Sequence, residues 1–474
     1  MSSWASFLVP LLQGILEAMP PIRRIALILL AALACRGTSA PSPALGGATP
    51  DSAAIRRDIA YLASDALEGR GTGTPGNDSA AAYIARRYAA LGLAPIVAAT
   101  GDAGACGGPK FVLRADVGSA SADRSRCRSF LQPFTARSAA AAHAGRPSAL
   151  ATSNVVAVVP GTDPTLRHQY VVVGAHFDHL GRSAESALDA SAGDAIRNGA
   201  DDNASGTAAV LELARLVERR PARRSVVFVN FSGEELGVLG SQYFVEHSPV
   251  PVDSMQAMLN FDMVGRLRDS KLIVYGVATA TELPAVLDSA QAGLELRLSA
   301  IGDGFGPSDH ASFYARGIPV LHFFTGLHDD YHRATDDVDR VDVAGEARVV
   351  ALAERVLRDL ADRPARLTAV RVAAPAMQVG PREGSNVYLG TVPDMSAGDV
   401  AGLRLTGVRP GGPAERAGLA AGDVIVEFGG AVVTDLQTYS DALYSHKPGD
   451  VVEIVVLRGG ERRIVKATLG ERGK

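Results

Sequence analysis

The chain has 474 residues, 47% of them hydrophobic, which is material for one large core and a smaller second domain. Its formal net charge of -4 is small for this length and no block of lysine or arginine stands out, so nothing points to nucleic acid as a partner.

Residues 19–40 set Arg23 and Arg24 ahead of an apolar run, Ile25 to Ala34, followed by Cys35 and a Gly/Ser/Ala/Pro stretch. A basic start, an apolar middle and a small-residue end are the three parts of a secretory signal, and the run is too short for a comfortable membrane span. Residues 1–18 put a second apolar stretch ahead of the arginines, which predicts that translation starts at Met19. Residues 1–40 are thus read as a signal peptide or a lipoprotein signal, and the mature protein as exported: periplasmic, secreted, or an outer-membrane lipoprotein. Ala34-Cys35 resembles a lipoprotein cleavage site, although Ala32 stands where leucine is usual, so processing with and without lipid on Cys35 both stay open. A lipid there is the one expected route to a membrane; an uncleaved anchor would also place the protein outside the cytoplasm. In an oxidising compartment Cys106 and Cys127 can pair across a Gly/Ser/Ala-rich loop of about 20 residues, worth about 3 kcal/mol in the chain-entropy model; two free thiols are the alternative.

After a Pro/Ala/Gly linker, the spacing of Ile55, Ile59, Leu62 and Ala66 predicts a helix over residues 53–67. Gly69 to Gly76 reads as a turn-rich loop, and Tyr83, Ile84 and Tyr88 mark a second packing helix over 79–91. Residues 98–152 carry little pattern beyond apolar pieces at 110–113 and 130–134, and read as a long loop or an edge hairpin. From Asn154 strands and helices alternate: strands at 154–159, 170–175, 225–231, 257–262, 271–277 and 318–324, helices at 206–219 and 346–361. The run Tyr170 to Ala175 is apolar and β-branched, as strands buried on both faces are. The economical architecture is α/β, a mixed, largely parallel sheet sandwiched by helices.

The strand at 170–175 runs into His176 and Asp178, and in open α/β sheets the functional crevice lies beyond the carboxyl ends of the strands. Four later places also present metal-ligand side chains at loops or strand ends: Asp201-Asp202-Asn203-Ala204-Ser205-Gly206, Glu234-Glu235, Asp262 and Tyr331-His332. Imidazole with carboxylate suits zinc or a similar divalent ion, and two histidines with three carboxylates exceed what one tetrahedral ion needs, which implies two ions. A shared carboxylate would keep both close enough to polarise one carbonyl and activate one water.

Through these residues the chain resembles the M28 family of zinc peptidases, bacterial aminopeptidases of the zinc-exopeptidase, phosphorylase/hydrolase-like fold, over roughly Ile55 to Ala361. The resemblance implies two Zn2+ ions, peptide substrates and a role for each residue. His176 and Asp262 would bind the first ion, Glu235 and His332 the second, and Asp202 both. Asp178 would orient the His176 imidazole from behind, Glu234 would be the general base, and Tyr331 would help stabilise the tetrahedral oxyanion. Where the family usually shows Tyr-His-Thr-Pro, this chain has Tyr331-His332-Arg333-Ala334, a departure that bears on the pocket wall more than on the ligand. Asp201 reads as a neighbour of the site. His179, His322 and His328 read as hydrogen-bonded bystanders, and His310, in Pro307-Ser308-Asp309-His310, as a residue behind the ligands or facing the substrate.

The pattern dissolves over residues 364–384, and residues 385–474 resemble a small, mainly-β PDZ domain of the bacterial protease type, through the stretch Leu405 to Gly430. Such a domain takes an extended peptide as an added strand, its carboxylate held by amides of a glycine-containing loop, here Tyr388-Leu389-Gly390-Thr391. A peptide or protein carboxyl terminus is the implied partner, although Pro393-Asp394 is poor material for the receiving strand, and a PDZ unit used only for packing is the alternative. The domain plan is therefore a signal (1–40), a metallopeptidase domain (50–363), a linker (364–384) and a PDZ domain (385–474). The overall reading is an exported dizinc aminopeptidase acting on peptides with a free amino terminus. The metal residues alone do not separate this from a carboxypeptidase. A glutaminyl cyclase on a related single-zinc fold is disfavoured by the two-ion set, and a non-catalytic binding protein by an intact Glu234.

Overall fold

The computed structural model describes residues 49–98, 128–137, 149–183, 187–189, 192–372, 387–393, 402–409, 411–433, 439 and 442–471. The export segment, the three cysteines and the apolar piece at 110–113 lie outside the described residues. Among the described residues no helix is long and apolar enough to cross a membrane.

Helix α1 (Ser52–Leu62) begins on Asp51, whose carboxylate accepts from the amides of Ala53 and Ala54, and it buries Ile55, Ile59 and Leu62. It stops short of the helix expected over 53–67, because the Ser64 hydroxyl donates to the Tyr61 carbonyl and the Arg70 guanidinium to that of Leu62. Helix α2 (Pro75–Leu91) starts with Pro75 behind the Thr74 cap and ends on the left-handed Gly92.

Nine strands then form one sheet: β1 (Ala94–Pro95), β2 (Leu131–Arg137), β3 (Ala149–Val159), β4 (Tyr170–His176), β5 (Ser225–Phe231), β6 (Met255–Phe261), β7 (Lys271–Tyr275), β8 (Arg297–Ala300) and β9 (Val320–Phe324). Their spatial order is β1-β3-β5-β4-β6-β9-β7-β8, with β2 paired to β3. The four central strands β5, β4, β6 and β9 are mutually parallel, and antiparallel pairs flank them. The weakly patterned stretch before Asn154 contributes the edge hairpin, β2 on β3, in register from Leu131 opposite Val155 to Arg137 opposite Ala149.

Five further helices cover the sheet: α3 (Gly206–Arg219), α4 (Leu239–Glu246), α5 (Leu283–Ala290), α6 (His310–Tyr314) and α7 (Val343–Asp362). Side chains alternate across β4. Val171, Val173 and Ala175 join a core with Leu213, Val217, Val349 and Val356 of α3 and α7, while Val172 packs on the other face with Phe244 and Phe313 of α4 and α6. Both faces are therefore dry, which is why the strand reads as an unbroken apolar run. Each Val, Leu or Phe so buried contributes about 1.5–3 kcal/mol relative to exposure. Helix α3 opens on Gly206, where only glycine fits, since a Cβ there would lie 2.4 Å from the Phe261 carbonyl oxygen and 2.3 Å from Asn203 Oδ1. That close approach brings the loop before α3 over the strand ends.

The start of the expected linker is held against the peptidase unit. Thr281 donates its amide to the Thr368 carbonyl, Val370 donates to that of Thr279, and the Tyr314 hydroxyl meets both the amide and the carbonyl of Val372. The PDZ unit has its own core of Val387, Leu403, Ile425, Phe428, Ile454 and Val456. It comprises β10 (Val387–Tyr388), β11 (Thr391–Pro393), β12 (Leu403–Val408), α8 (Pro413–Arg416), β13 (Val424–Phe428), β14 (Ala431–Val432), β15 (Val451–Arg458), β16 (Glu461–Thr468) and β17 (Gly470–Glu471). Strand β11 lies at the edge of the order β11-β12-β13-β15-β16, and its register shifts between Val392 and Pro393. Proline, which cannot donate to a ladder, is tolerated at such an edge.

Candidate active site

Because β5, β4, β6 and β9 are adjacent and parallel, the residues at their carboxyl ends converge. His176 is the last residue of β4, Glu234 and Glu235 follow β5, Asp262 follows β6, and Tyr331 and His332 lie beyond β9. Asp202 arrives on the loop between β4 and α3. All of them line a single cleft, whose other wall is Met263, Tyr275, Phe324 and Leu327 with Gly306, Pro307, Ser308 and His322.

The donor atoms fall into two sets around Asp202. His176 Nε2 stands 3.5 Å from Asp202 Oδ1 and 3.5 Å from Asp262 Oδ1. His332 Nε2 stands 3.2 Å from Asp202 Oδ2 and 3.3 Å from Glu235 Oε2. A tetrahedral zinc ion with bonds of about 2.0–2.1 Å separates its ligand atoms by about 3.3 Å, so each set has the spacing one ion requires, and the two oxygens of Asp202 face opposite sets. The chemistry of the donors, imidazole nitrogen with carboxylate oxygen, is likewise that of zinc. Glu234 Oε2 is further from His176 Nε2, at 4.0 Å, and stays outside the tighter pairings.

Electrostatics separate the neighbouring glutamates. Burial, together with the carboxylates of Glu235 and Asp262, pushes Glu234 well above the usual carboxylate range, against the pull of His176. Burial acts on Glu235 in the same sense, but charge from His332 and hydrogen bonds from His179 and His332 overcome it and hold Glu235 well below that range. Asp262 is likewise held low by His176 in spite of its burial. One glutamate thus has a raised proton affinity, and the other is fixed as an anion between two imidazoles.

Around this centre the structure gives each neighbouring side chain a definite partner. The nearest acceptor for His176 Nδ1 is the backbone carbonyl of Asp178, at 3.2 Å; the Asp178 carboxylate, expected to orient the ring, is 3.8 Å away. That carboxylate instead accepts from the Thr72 hydroxyl at 2.7 Å and the Glu234 amide at 3.2 Å, so it braces the loop carrying Glu234. His179, read as a bystander, has Nδ1 2.8 Å from Glu235 Oε1, and so steadies a candidate ligand. The Ser308 hydroxyl donates to Asp262 Oδ2 at 2.8 Å and accepts from Asn260, whose amide also meets His322 Nδ1. His322 therefore lines the cleft, whereas His310 stacks behind it, fully buried, with ring centroids 4.4 Å apart. Asp201 is a neighbour as expected. Its Oδ1 accepts from the Gly265 amide and the Ser205 hydroxyl, and its Oδ2 lies 3.1 Å from His328 Nε2. Tyr331 stacks on the His332 ring at 3.8 Å.

Residues 154–357 match the profile of Peptidase family M28, and residues 379–469 that of the PDZ domain. Among curated proteins the chain is 30% identical over 176 residues to aminopeptidase YwaD of Bacillus subtilis, covering 34% of this chain and 38% of that one. It is 32% identical over 176 residues to leupeptin-inactivating enzyme 1 of Streptomyces exfoliatus, 36% of each chain. The matched part thus spans less than two-fifths of either relative. Among solved structures, a Zn-dependent exopeptidase from Parabacteroides distasonis superposes with a TM-score of 0.50 at 17% identity, over 67% of this chain and 100% of the other, a likeness of fold. With the fold, the converging strand ends and both profiles in agreement, the chain carries a Peptidase family M28 domain over residues 154–357 and a PDZ domain over residues 379–469.

Proposed function

We propose that this protein is an exported dizinc aminopeptidase. The observation that carries the reading is the lining of the cleft: two donor sets sharing Asp202, a partly apolar opposite wall, and, among the described residues, no lysine or arginine. A carboxypeptidase needs a cation to receive the substrate's terminal carboxylate, whereas an anionic cleft suits a terminal ammonium. The names of the relatives, an aminopeptidase and a Zn-dependent exopeptidase among them, support the same class.

In this reading His176, Asp202 and Asp262 hold one ion, and Asp202, Glu235 and His332 the other. Ions bound there supply Lewis acidity for the scissile carbonyl and lower the pKa of the attacking water. Glu234 takes the proton from that water and delivers it to the leaving amine. Asp178 fixes the Glu234 amide and Tyr331 donates to the developing oxyanion. The apolar wall of Met263, Phe324 and Leu327 receives the side chain of the first residue.

The test is a series of aminoacyl-p-nitroanilides with and without an N-acetyl group, assayed with and without added zinc. Free amino termini should be turned over and acetylated ones should lose at least about 100-fold, as expected when a buried charge loses its partner. Cleavage of carboxyl-terminal residues from amino-blocked peptides would overturn the reading. Export rests on residues 1–40, and the mass of the mature amino terminus tests it.

The PDZ unit is proposed to receive an extended peptide beside β11. Every candidate metal residue lies before Ala361, so deletion from Pro381 onward, which keeps the strap at 364–372, should leave bound zinc and turnover of small substrates within about twofold. Loss of bound metal on truncation would refute that division of labour.

A further inference from the structure

We infer that Arg70 and Asp336 are positioning residues that clamp residues 198–202 from two sides and so fix the shared carboxylate of Asp202 before any ion arrives. The inference rests on the two-ion reading of Asp202.

Arg70 is fully buried, and its guanidinium donates to four carbonyls on three separate segments: Leu62, Phe177 at 2.7 Å, Asn198 at 2.6 Å and Gly199 at 2.9 Å. Phe177 lies between His176 and Asp178, so one side chain joins the loop of the first histidine to the loop of the shared aspartate. Asp336 works from the other side. Its Oδ2 accepts from the amides of Asp201 at 2.9 Å and Asp202 at 3.0 Å, and its backbone carbonyl accepts from the amide of Ala200 at 3.0 Å. Five successive residues, Asn198 to Asp202, therefore each give a backbone group to Arg70 or Asp336. The turn within this loop is tight enough to require glycine: Gly199 sits at φ +56 and a Cβ there would meet the Asp202 carbonyl oxygen at 2.0 Å. Asp336 also follows His332 on the same loop, so the clamp couples the second histidine to the carboxylate it must share.

A physical need for such a clamp is evident. Asp178, Asp202, Glu234, Glu235 and Asp262 crowd the strand ends, and like charges at this range drive a flexible loop apart when no cation is bound. Arginine suits the task because its five N–H donors are spread over three nitrogens of a planar fork and so reach four carbonyls, whereas lysine offers three donors from one nitrogen. Residues that hydrogen-bond to metal ligands from behind typically carry about 10–100-fold in affinity.

The experiment measures zinc affinity of the metal-stripped full chain by competition with a chromophoric chelator, alongside circular dichroism, kcat and KM. Arg70→Lys and Asp336→Ala should each weaken zinc binding about 10–100-fold and, with zinc in excess, lower kcat while KM stays within about twofold. Asp336→Asn should restore most of the affinity lost in Asp336→Ala, since the amide oxygen can accept the same two N–H groups. Folded Arg70→Lys and Asp336→Ala variants that bind zinc within about threefold of the parent would overturn the inference, as would failure of both Arg70→Lys and Asp336→Asn to fold, which would make the role purely structural; if Asp336→Ala alone fails to fold, Arg70→Lys decides. Asp202→Asn is the control. If it keeps its full zinc complement the two-ion reading fails, and if it loses zinc while the clamp variants bind normally, the clamp alone fails.

Discussion

Replacing Glu234 by Gln should lower kcat by about 10²–10⁴-fold while leaving the bound zinc unchanged. Gln keeps the size and the hydrogen-bonding reach of the side chain but has no basic oxygen, so the attacking water loses its proton acceptor. The geometry supports the separation of rate from binding. Glu234 Oε2 is 4.0 Å from His176 Nε2, outside the 3.2–3.5 Å spacing of the two donor sets, and its backbone is fixed independently by the Asp178 carboxylate. Elemental analysis beside steady-state kinetics makes the test. A Gln variant that sheds zinc, or one that retains full kcat, would remove Glu234 from the role of base.

Glu235→Gln should behave in the opposite way and lose close to one of two ions. Its two oxygens have separate tasks: Oε2 lies 3.3 Å from His332 Nε2, on the side of the second set, and Oε1 lies 2.8 Å from His179 Nδ1. An amide cannot serve both. If its oxygen faces His179, the NH2 group points into the metal set and offers no lone pair; if it turns over, the ion meets a neutral oxygen of weaker affinity than a carboxylate. Two good ligands, Asp202 and His332, then remain for the second ion. Metal content should fall towards half, and added zinc should recover part of the activity. Should Glu234→Gln lose metal while Glu235→Gln keeps it, the two assignments must be exchanged.

The same pair shows how far the amino-acid sequence reaches. Glu234 and Glu235 are chemically identical and adjacent, so composition and spacing cannot divide their roles. Only the fold sets one between His179 and His332 and the other beside Asp178. The strands, in contrast, were legible because each is a local statement. Tyr170 to His176, Ser225 to Phe231 and Met255 to Phe261 are buried on both faces and therefore apolar almost throughout, and each runs directly into its functional residue. A period-free apolar run followed by His, Glu or Asp carries fold and chemistry in the same dozen residues.

What the tertiary structure alone decided involves partners far apart in the chain. Thr72 meets Asp178 across 106 residues, Arg70 meets Gly199 across 129, and Asp336 meets Asp202 across 134. In sequence each is an ordinary polar residue in a loop, because a residue that serves a distant carboxylate, carbonyl or amide leaves no periodic trace. His179 and His322 were passed over for the same reason, since a lone histidine reveals its partner only when another strand delivers it. The charge of the cleft is also a sum over loops that the chain keeps apart. Sequence determined that metal-binding groups gather at the carboxyl ends of buried parallel strands; packing those strands side by side decided which oxygen of Asp202 faces which histidine, because that depends on distances of 3.2–3.5 Å that only the closed sheet and its clamped loops can set.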